Sequence, residues 1–197
     1  MTFLPRRALP TRVLPKRALL LVPLLAIIVL LSSCASVPAD TSRQYLLPGA
    51  AEPPTANASL PDLQLHLAGY LDQGGIVLQD GPVTVTAARQ HRWADPLADQ
   101  LRRSLRYHLS EDGVAAQGRL IVDVVQFQGS NDGHALVAGH WQFDNNKGGE
   151  QSGQFQIRQP LNQDGYGALV KQLDTAWATV AQSISEQLQK PQASEEK

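Results

Sequence analysis

Cysteine occurs once in this 197-residue sequence, at position 34. No intramolecular disulfide can form, and multi-cysteine metal or redox sites are excluded. Long apolar runs are also missing. The longest, Ala18–Leu31, has 14 residues and is broken by Pro23. A helix needs roughly 20 apolar residues to cross about 30 Å of hydrocarbon, so this run falls short. From Cys34 onward there are 12 basic and 18 acidic residues. That balance lacks the basic footprint of a nucleic-acid binder and of a polybasic hold on anionic lipid. Catalytic signatures are absent too. There is no G-x-S-x-G, no P-loop and no H-E-x-x-H. His66, His91, His108, His134 and His140 are scattered without metal-ligand spacing. His134 and His140 have the same parity on one strand but lie some 20 Å apart in extended chain. Gly74-Gly75 and Gly148-Gly149 do not sit between a strand and a helix, as a phosphate cradle requires. The chain reads as a non-enzyme without a cofactor.

What is present begins with an address. Residues 1–33 read as a secretory signal peptide. Arg6, Arg7, Arg12, Lys16 and Arg17 form a basic start with no acidic residue among them, and the apolar run follows. Arg6-Arg7 stands too far from that run for a twin-arginine signal. Leu31-Ser32-Ser33-Cys34 then resembles the bacterial lipobox: an aliphatic residue, two small ones beside the scissile bond, and a free thiol to take up a diacylglyceryl group. Cys34 is thus the expected lipidation site, and covalent lipid the only attached group. One acyl chain gives marginal binding, with about 0.8 kcal/mol per buried CH₂, so the three chains of a bacterial lipoprotein anchor durably. Residue 35 is Ala rather than Asp. By resemblance to Gram-negative lipoproteins, this implies sorting to the outer membrane, with the domain on its periplasmic side.

The mature chain divides into the lipidated Cys and tether (34–61), a folded domain (62–189) and a disordered polar tail (190–197). Within the tether Tyr45-Leu46-Leu47 is a possible first strand, and the proline-rich stretch 48–61 reads as loop. Leu63, Leu65 and Leu67 alternate with polar residues, predicting a strand. Further strands are predicted at Ile76–Leu78, Val83–Ala87, Leu120–Phe127, Ala135–Phe143 and around Phe155–Ile157. Asn131-Asp132-Gly133 makes a hairpin turn between two of them. Asp95-Pro96 signals a helix start, with Leu97, Leu101, Leu105 and Leu109 on one stripe. Asp164 caps a second helix whose stripe runs from Tyr166 to Leu188. The order βββαβββα gives an α+β two-layer sandwich, an antiparallel sheet with both helices packed on one face. Gln142, Gln154, Gln156 and Arg158 make the other face polar. Trp141 and Trp177 are expected in the core. Trp93 either fixes the helix start or stands at an interface.

Several of these pieces together resemble the PqiC-type auxiliary lipoproteins of ABC and MCE-type transport systems. The match rests on Tyr45-Leu46-Leu47 soon after Cys34, Tyr70-Leu71-Asp72 followed by Ile76-Val77, and Trp93-Ala94-Asp95-Pro96-Leu97. Gly139-His140-Trp141 and the helix of Tyr166, Leu173 and Trp177 extend it over about residues 34–189. Gly69 stands where many relatives have Pro. The resemblance implies a lipoprotein on the inner leaflet of the outer membrane. It would form a homo-oligomeric ring that docks the periplasmic tunnel of an MCE-domain protein and, through it, an inner-membrane transporter of lipids or other hydrophobic molecules. A monomeric periplasmic lipid chaperone is the alternative. Tyr70, Leu71, Ile76, Val77 and Trp93 are the expected interface residues, because apolar side chains in a Gly-rich segment would be wasteful if exposed; capping of the sheet end is the competing role for the first four.

Overall fold

The computed structural model describes residues 42–56 and 58–190. The expected signal peptide, Cys34 and the tail from 191 lie outside the described residues. The element order is β1 (Arg43–Tyr45), α1 (Pro48–Ala51), β2 (Asp62–Leu67), a 3₁₀ turn (Gly69–Leu71), β3 (Gly75–Gln79), β4 (Val85–Trp93), α2 (Leu97–Glu111), β5 (Arg119–Ser130), β6 (His134–Asp144), β7 (Glu150–Pro160) and α3 (Tyr166–Leu188). The seven strands form one sheet in the order β1-β4-β3-β5-β6-β7, with β2 also on β5. This is the expected α+β two-layer arrangement.

The sheet is mixed where an antiparallel one is expected. β5, β6 and β7 form an antiparallel meander, and β3 and β4 a hairpin. β2 and β3, however, both run parallel to β5 along the same side of it. β2 takes the first half, Asp62↔Arg119 to Leu67↔Val124, and β3 takes Gly129 and Ser130. The 3₁₀ turn carries the chain between them. β1 lies parallel on β4. Alternation fixes which face a side chain takes and leaves strand partners open, so local pattern could not reveal these parallel pairs.

β5 keeps one apolar face across an irregular sequence by a bulge. Leu120, Val122 and Val124 point into the core, and so does Phe127, which has the opposite parity. The register to β6 shifts between Val124 and Gln126, and Val125 is 44% exposed. One extra residue restores the alternation that a strict ladder would lose.

α2 and α3 cover one sheet face. Leu97, Leu101, Leu105 and Leu109 are buried from α2; Leu169, Leu173, Trp177, Val180 and Ile184 are buried from α3. Trp177 meets the edges of Phe127 and Phe155 at 6.2 and 6.0 Å between ring centres, a favoured aromatic geometry. Its Nε1–H donates to the Leu101 carbonyl at 3.1 Å, which satisfies the indole and ties the helices together. Trp141 is buried as expected.

Three local expectations are corrected. α2 begins at Leu97 after Pro96, not on an Asp95 cap; the Asp95 carboxylate instead pairs with Arg103 at 2.6 Å. α3 begins after Gly165, whose φ of 101° no L side chain holds comfortably, and Asp164 does not cap it. Part of the tether is folded. β1 is a strand, Pro48–Ala51 makes one helical turn, and Leu47 and Ala50 are buried. The domain therefore starts at Arg43 rather than 62. The apolar run Tyr45–Leu47 buries only its last residue fully, while Leu46 remains 42% exposed.

Candidate functional site

The outer face of the sheet is wide and polar. Successive strands alternate, so the residues between the core positions all point away from the helices. Gln142, Gln154, Gln156 and Arg158 are exposed there, as their parity predicts. The depressions on this face are open, with both polar and apolar lining. One of about 490 Å³ is lined by Arg119, Gln142, Asp144 and Glu150 among others.

Strand pairing brings together a group on this face that the sequence keeps far apart. Asp123 lies beside His66 on β2 and beside His140 on β6. His66 Nδ1 is 2.9 Å from Asp123 Oδ1, and His140 Nε2 is 3.1 Å from Oδ2. One carboxylate thus serves two imidazoles. No group of three or more His, Cys, Asp or Glu residues arranged to hold a metal occurs among the described residues. At the β5–β6 hairpin, Asp132 accepts from Ser130 Oγ and pairs with Arg158, and His134 stands alongside. The Ser130 hydrogen bond and then that from Arg158 hold the Asp132 carboxyl well below the usual carboxylate range.

The helical face holds a second polar cluster. Gly49 N–H donates to Asp174 Oδ1 at 3.1 Å. Ser104 Oγ and His108 Nε2 converge on the same glycine, where a Cβ would stand 2.6 and 3.0 Å from them. Both atoms are buried without a hydrogen-bond partner. Burial raises the Asp174 carboxyl above its ordinary value, opposed by the Gly49 N–H and the His108 charge. Beside this cluster, buried Gln100 accepts from Leu47 N–H at 2.9 Å and donates to the Asp95 carbonyl at 3.0 Å. These bonds lash the segment Leu47–Gly49 to the helices.

The expected interface residues are placed differently. Leu71 and Ile76 are 0% exposed, Val77 2% and Trp93 6%, all inside the core. They fill the sheet end and leave no apolar surface to offer a partner. Trp93 packs 6.0 Å from Phe127 just before α2, as a residue fixing the helix start would. Tyr70 alone reaches the surface. Its hydroxyl lies 2.7 Å from the Val125 carbonyl and 2.8 Å from Gln128 Oε1, and burial raises its pKa. The ring pins the bulge. Cys34 lies outside the described residues.

Comparison with known proteins decides the family. The family described as ABC-type transport auxiliary lipoprotein component matches residues 45–185. The chain belongs to that family. It is 32% identical over 137 residues to the intermembrane transport lipoprotein PqiC of Escherichia coli (strain K12), covering 64% of this chain and 73% of that protein. The Shigella flexneri protein of the same name matches equally. A crystal structure described as an uncharacterized protein superposes with a TM-score of 0.67 at 28% identity, covering 75% of this chain and 99% of the other. A Xanthomonas campestris protein shares the fold, with a TM-score of 0.57 at 19% identity, covering 74% and 89%.

The family stretch begins at Tyr45, within the folded part of the tether, and ends at Ser185, within α3. It therefore includes β1's last residue, the Gly49 cluster and every later strand. The Asp123 group and the Gly49 cluster were not foreseen from sequence. The signal for the first is the parallel register of β2 on β5, which no local pattern carries. For the second, Ser104 and His108 stand four apart on the helix stripe edge, but their meeting with Asp174 depends on tertiary packing.

Proposed function

We propose that this lipoprotein is held in the outer membrane by acyl chains on Cys34 and works from its periplasmic side. There it assembles with copies of itself into a ring that docks the periplasmic tunnel of an MCE-domain protein, within a system moving lipids or other hydrophobic molecules between membranes. The observation that carries the reading is the family match over residues 45–185, joined to a lipobox that ends at Cys34. The intermembrane transport named for the PqiC relatives supports it.

The fold is compatible with a holding role. The segment after the anchor is strapped to the helices by Leu47, Gly49 and Ala50, so a pull on the lipid reaches the helical layer directly. A lipid chaperone needs an enclosed apolar cavity of a few hundred Å³; the depressions on the outer face are open and of mixed lining, which does not favour it.

The test is purification of the full lipidated chain from membranes in mild detergent, with the mass and the co-purifying proteins read together. The reading expects an oligomer that brings an MCE-domain protein with it. A monomer carrying one tightly held lipid and no such protein would replace it with the chaperone.

A further inference from the structure

Exposed apolar side chains gather at one edge of the sheet. Four large hydrophobic residues stand exposed among the described residues: Leu46 at 42%, Val83 at 91%, Val85 at 44% and Val125 at 44%. Val125 belongs to the β5 bulge that Tyr70 pins. The other three lie on β1 and the β3–β4 hairpin. Leu46 directly follows β1, Val83 stands in the hairpin loop, and Val85 opens β4 on the outer face beside Gln79. Such residues scattered singly mean little; these three bracket a basic stretch.

Arg43, Arg89 and Arg92 lie between them, all exposed. Arg43 shares a rung with His91 and points to the helix-facing side, as Trp93 does two residues on. Arg92, of the opposite parity to Trp93, points outward. None of the three has an ion-pair partner among the described residues, and neither Asp80 in the hairpin loop nor Asp164 before α3 pairs with them. The mature chain as a whole is acidic, with 18 acidic against 12 basic residues from Cys34 onward. Its edge at β1 and β4 nevertheless carries a local basic row.

We infer that this edge lies on a phospholipid surface with anionic headgroups, the arginines meeting phosphates while Leu46 and Val83 enter the acyl boundary on either side of them. An apolar contact flanking basic side chains is the pattern by which a surface rests in the headgroup region. The inference rests on the lipid-anchor reading above and names the side of the domain that the anchor turns to the bilayer.

Chain length favours this occupant. β1 runs parallel to β4, so its first residue is the one nearest the hairpin loop. That residue, Arg43, stands nine positions after Cys34. Nine residues span about 30 Å fully extended and roughly 15–18 Å as coil. The Arg92 and Val85 rungs are separated by the length of β3 from Gly75 to Gln79, about 13 Å at the rise of a strand. A bilayer holding acylated Cys34 is therefore within reach of the whole edge.

A strand from another copy is a poorer occupant. β1 is only three residues long. Between the Arg92 and Ala87 rungs, β4 takes five residue steps where β3 takes two, and Arg89 stands in that bulge. Short strands, bulges and charged side chains are the devices by which an edge refuses a further strand.

The experiment uses the full-length, lipidated chain, in which an acylated Cys34 offers no free thiol. Val83→Cys, Leu46→Cys and Gln154→Cys are made singly and labelled with the environment-sensitive dye NBD. Gln154 is the control, exposed on the outer face of β7. Each chain is reconstituted into vesicles of phosphatidylethanolamine and phosphatidylglycerol with ordinary or brominated acyl chains, and flotation reads the anchor separately. The expected result is loss of emission to the brominated chains at positions 83 and 46 and none at 154. Arg43→Gln with Arg89→Gln, or phosphatidylcholine in place of phosphatidylglycerol, should lessen that loss; an undiminished loss in both overturns the role of the arginines. A chain that floats with the vesicles but loses no emission at 83 or 46 overturns the surface and leaves the anchor standing. Equal loss at all three positions overturns it as well, because the domain then has no preferred side. Emission at 83 and 46 that rises on reconstitution yet resists bromine overturns it in favour of a contact between copies. A chain that does not float overturns the anchor reading and this surface with it.

Discussion

The Phe155 ring lies over Gly139, its direct partner on β6, so closely that a Cβ at 139 would stand 2.6 Å from the ring edge. Two rungs away the relationship is reversed. Trp141 lies over its partner Gly153, where a Cβ would stand 2.7 Å from the indole nitrogen. Two aromatic–glycine pairs of opposite sense thus sit side by side on one ladder. Each glycine leaves room for a ring that covers backbone otherwise bare, and both rings belong to the core.

Gly139→Val should therefore destabilise the domain by about 3 kcal/mol, the upper part of the range for overpacking. Both the Phe155 ring and the Asp123 carbonyl stand in the way. Gly153→Val should act similarly through Trp141. Urea unfolding followed by tryptophan fluorescence measures both, and an unchanged midpoint for either would show that the rings can move aside.

Ile76→Asp should prevent folding, because Ile76 is 0% exposed and an unpaired carboxylate there has no partner. Circular dichroism reads the result directly. A folded Ile76→Asp chain with altered assembly would return this residue to the interface role that its Gly-rich setting suggests.

Gln100→Ala should cost about 1–3 kcal/mol, since it leaves the buried Leu47 N–H without an acceptor. Loss should concentrate in the strap. Hydrogen exchange over residues 43–51 should rise more than exchange in β5 and β6. Equal loss throughout would mean that the strap does not open on its own.

The Asp174 carboxyl gives a pH dependence with a definite sign. Burial raises its folded pKa above the unfolded value. Between those two values the folded chain keeps a proton the unfolded chain has released, so this group's contribution falls as pH rises through the window. Asp174→Asn keeps an oxygen for the Gly49 N–H and carries no charge. The stability difference, variant minus wild type, should grow in the variant's favour from below pH 4 to neutrality. A variant less stable than wild type at neutral pH would show that the charge is needed, for instance by His108.

Much of this architecture is legible in the sequence because it is local. The Leu97–Leu109 stripe, the alternation from Ala135 to Phe143 and the Asn131-Asp132-Gly133 turn each specify their element by spacing alone. Gly133 takes the positive φ that its turn requires. What escaped is what depends on partners distant in sequence. The parallel seating of β2 and β3 on β5 leaves no local trace, so the Asp123 group with His66 and His140 was invisible. The same gap hides burial. Leu71, Ile76 and Val77 read as interface candidates because apolar side chains in a Gly-rich segment suggested a partner, whereas all three are buried and Gly75 itself packs against Ala88.

The account stands on Cys34 carrying lipid that holds the domain at the outer membrane. Metabolic labelling with radioactive palmitate, followed by density separation of inner and outer membranes, measures both parts at once. The labelled chain should appear in the outer-membrane fraction, and Cys34→Ala should lose the label and leave that fraction. An unlabelled wild-type chain, or a labelled one confined to the inner membrane, would contradict it.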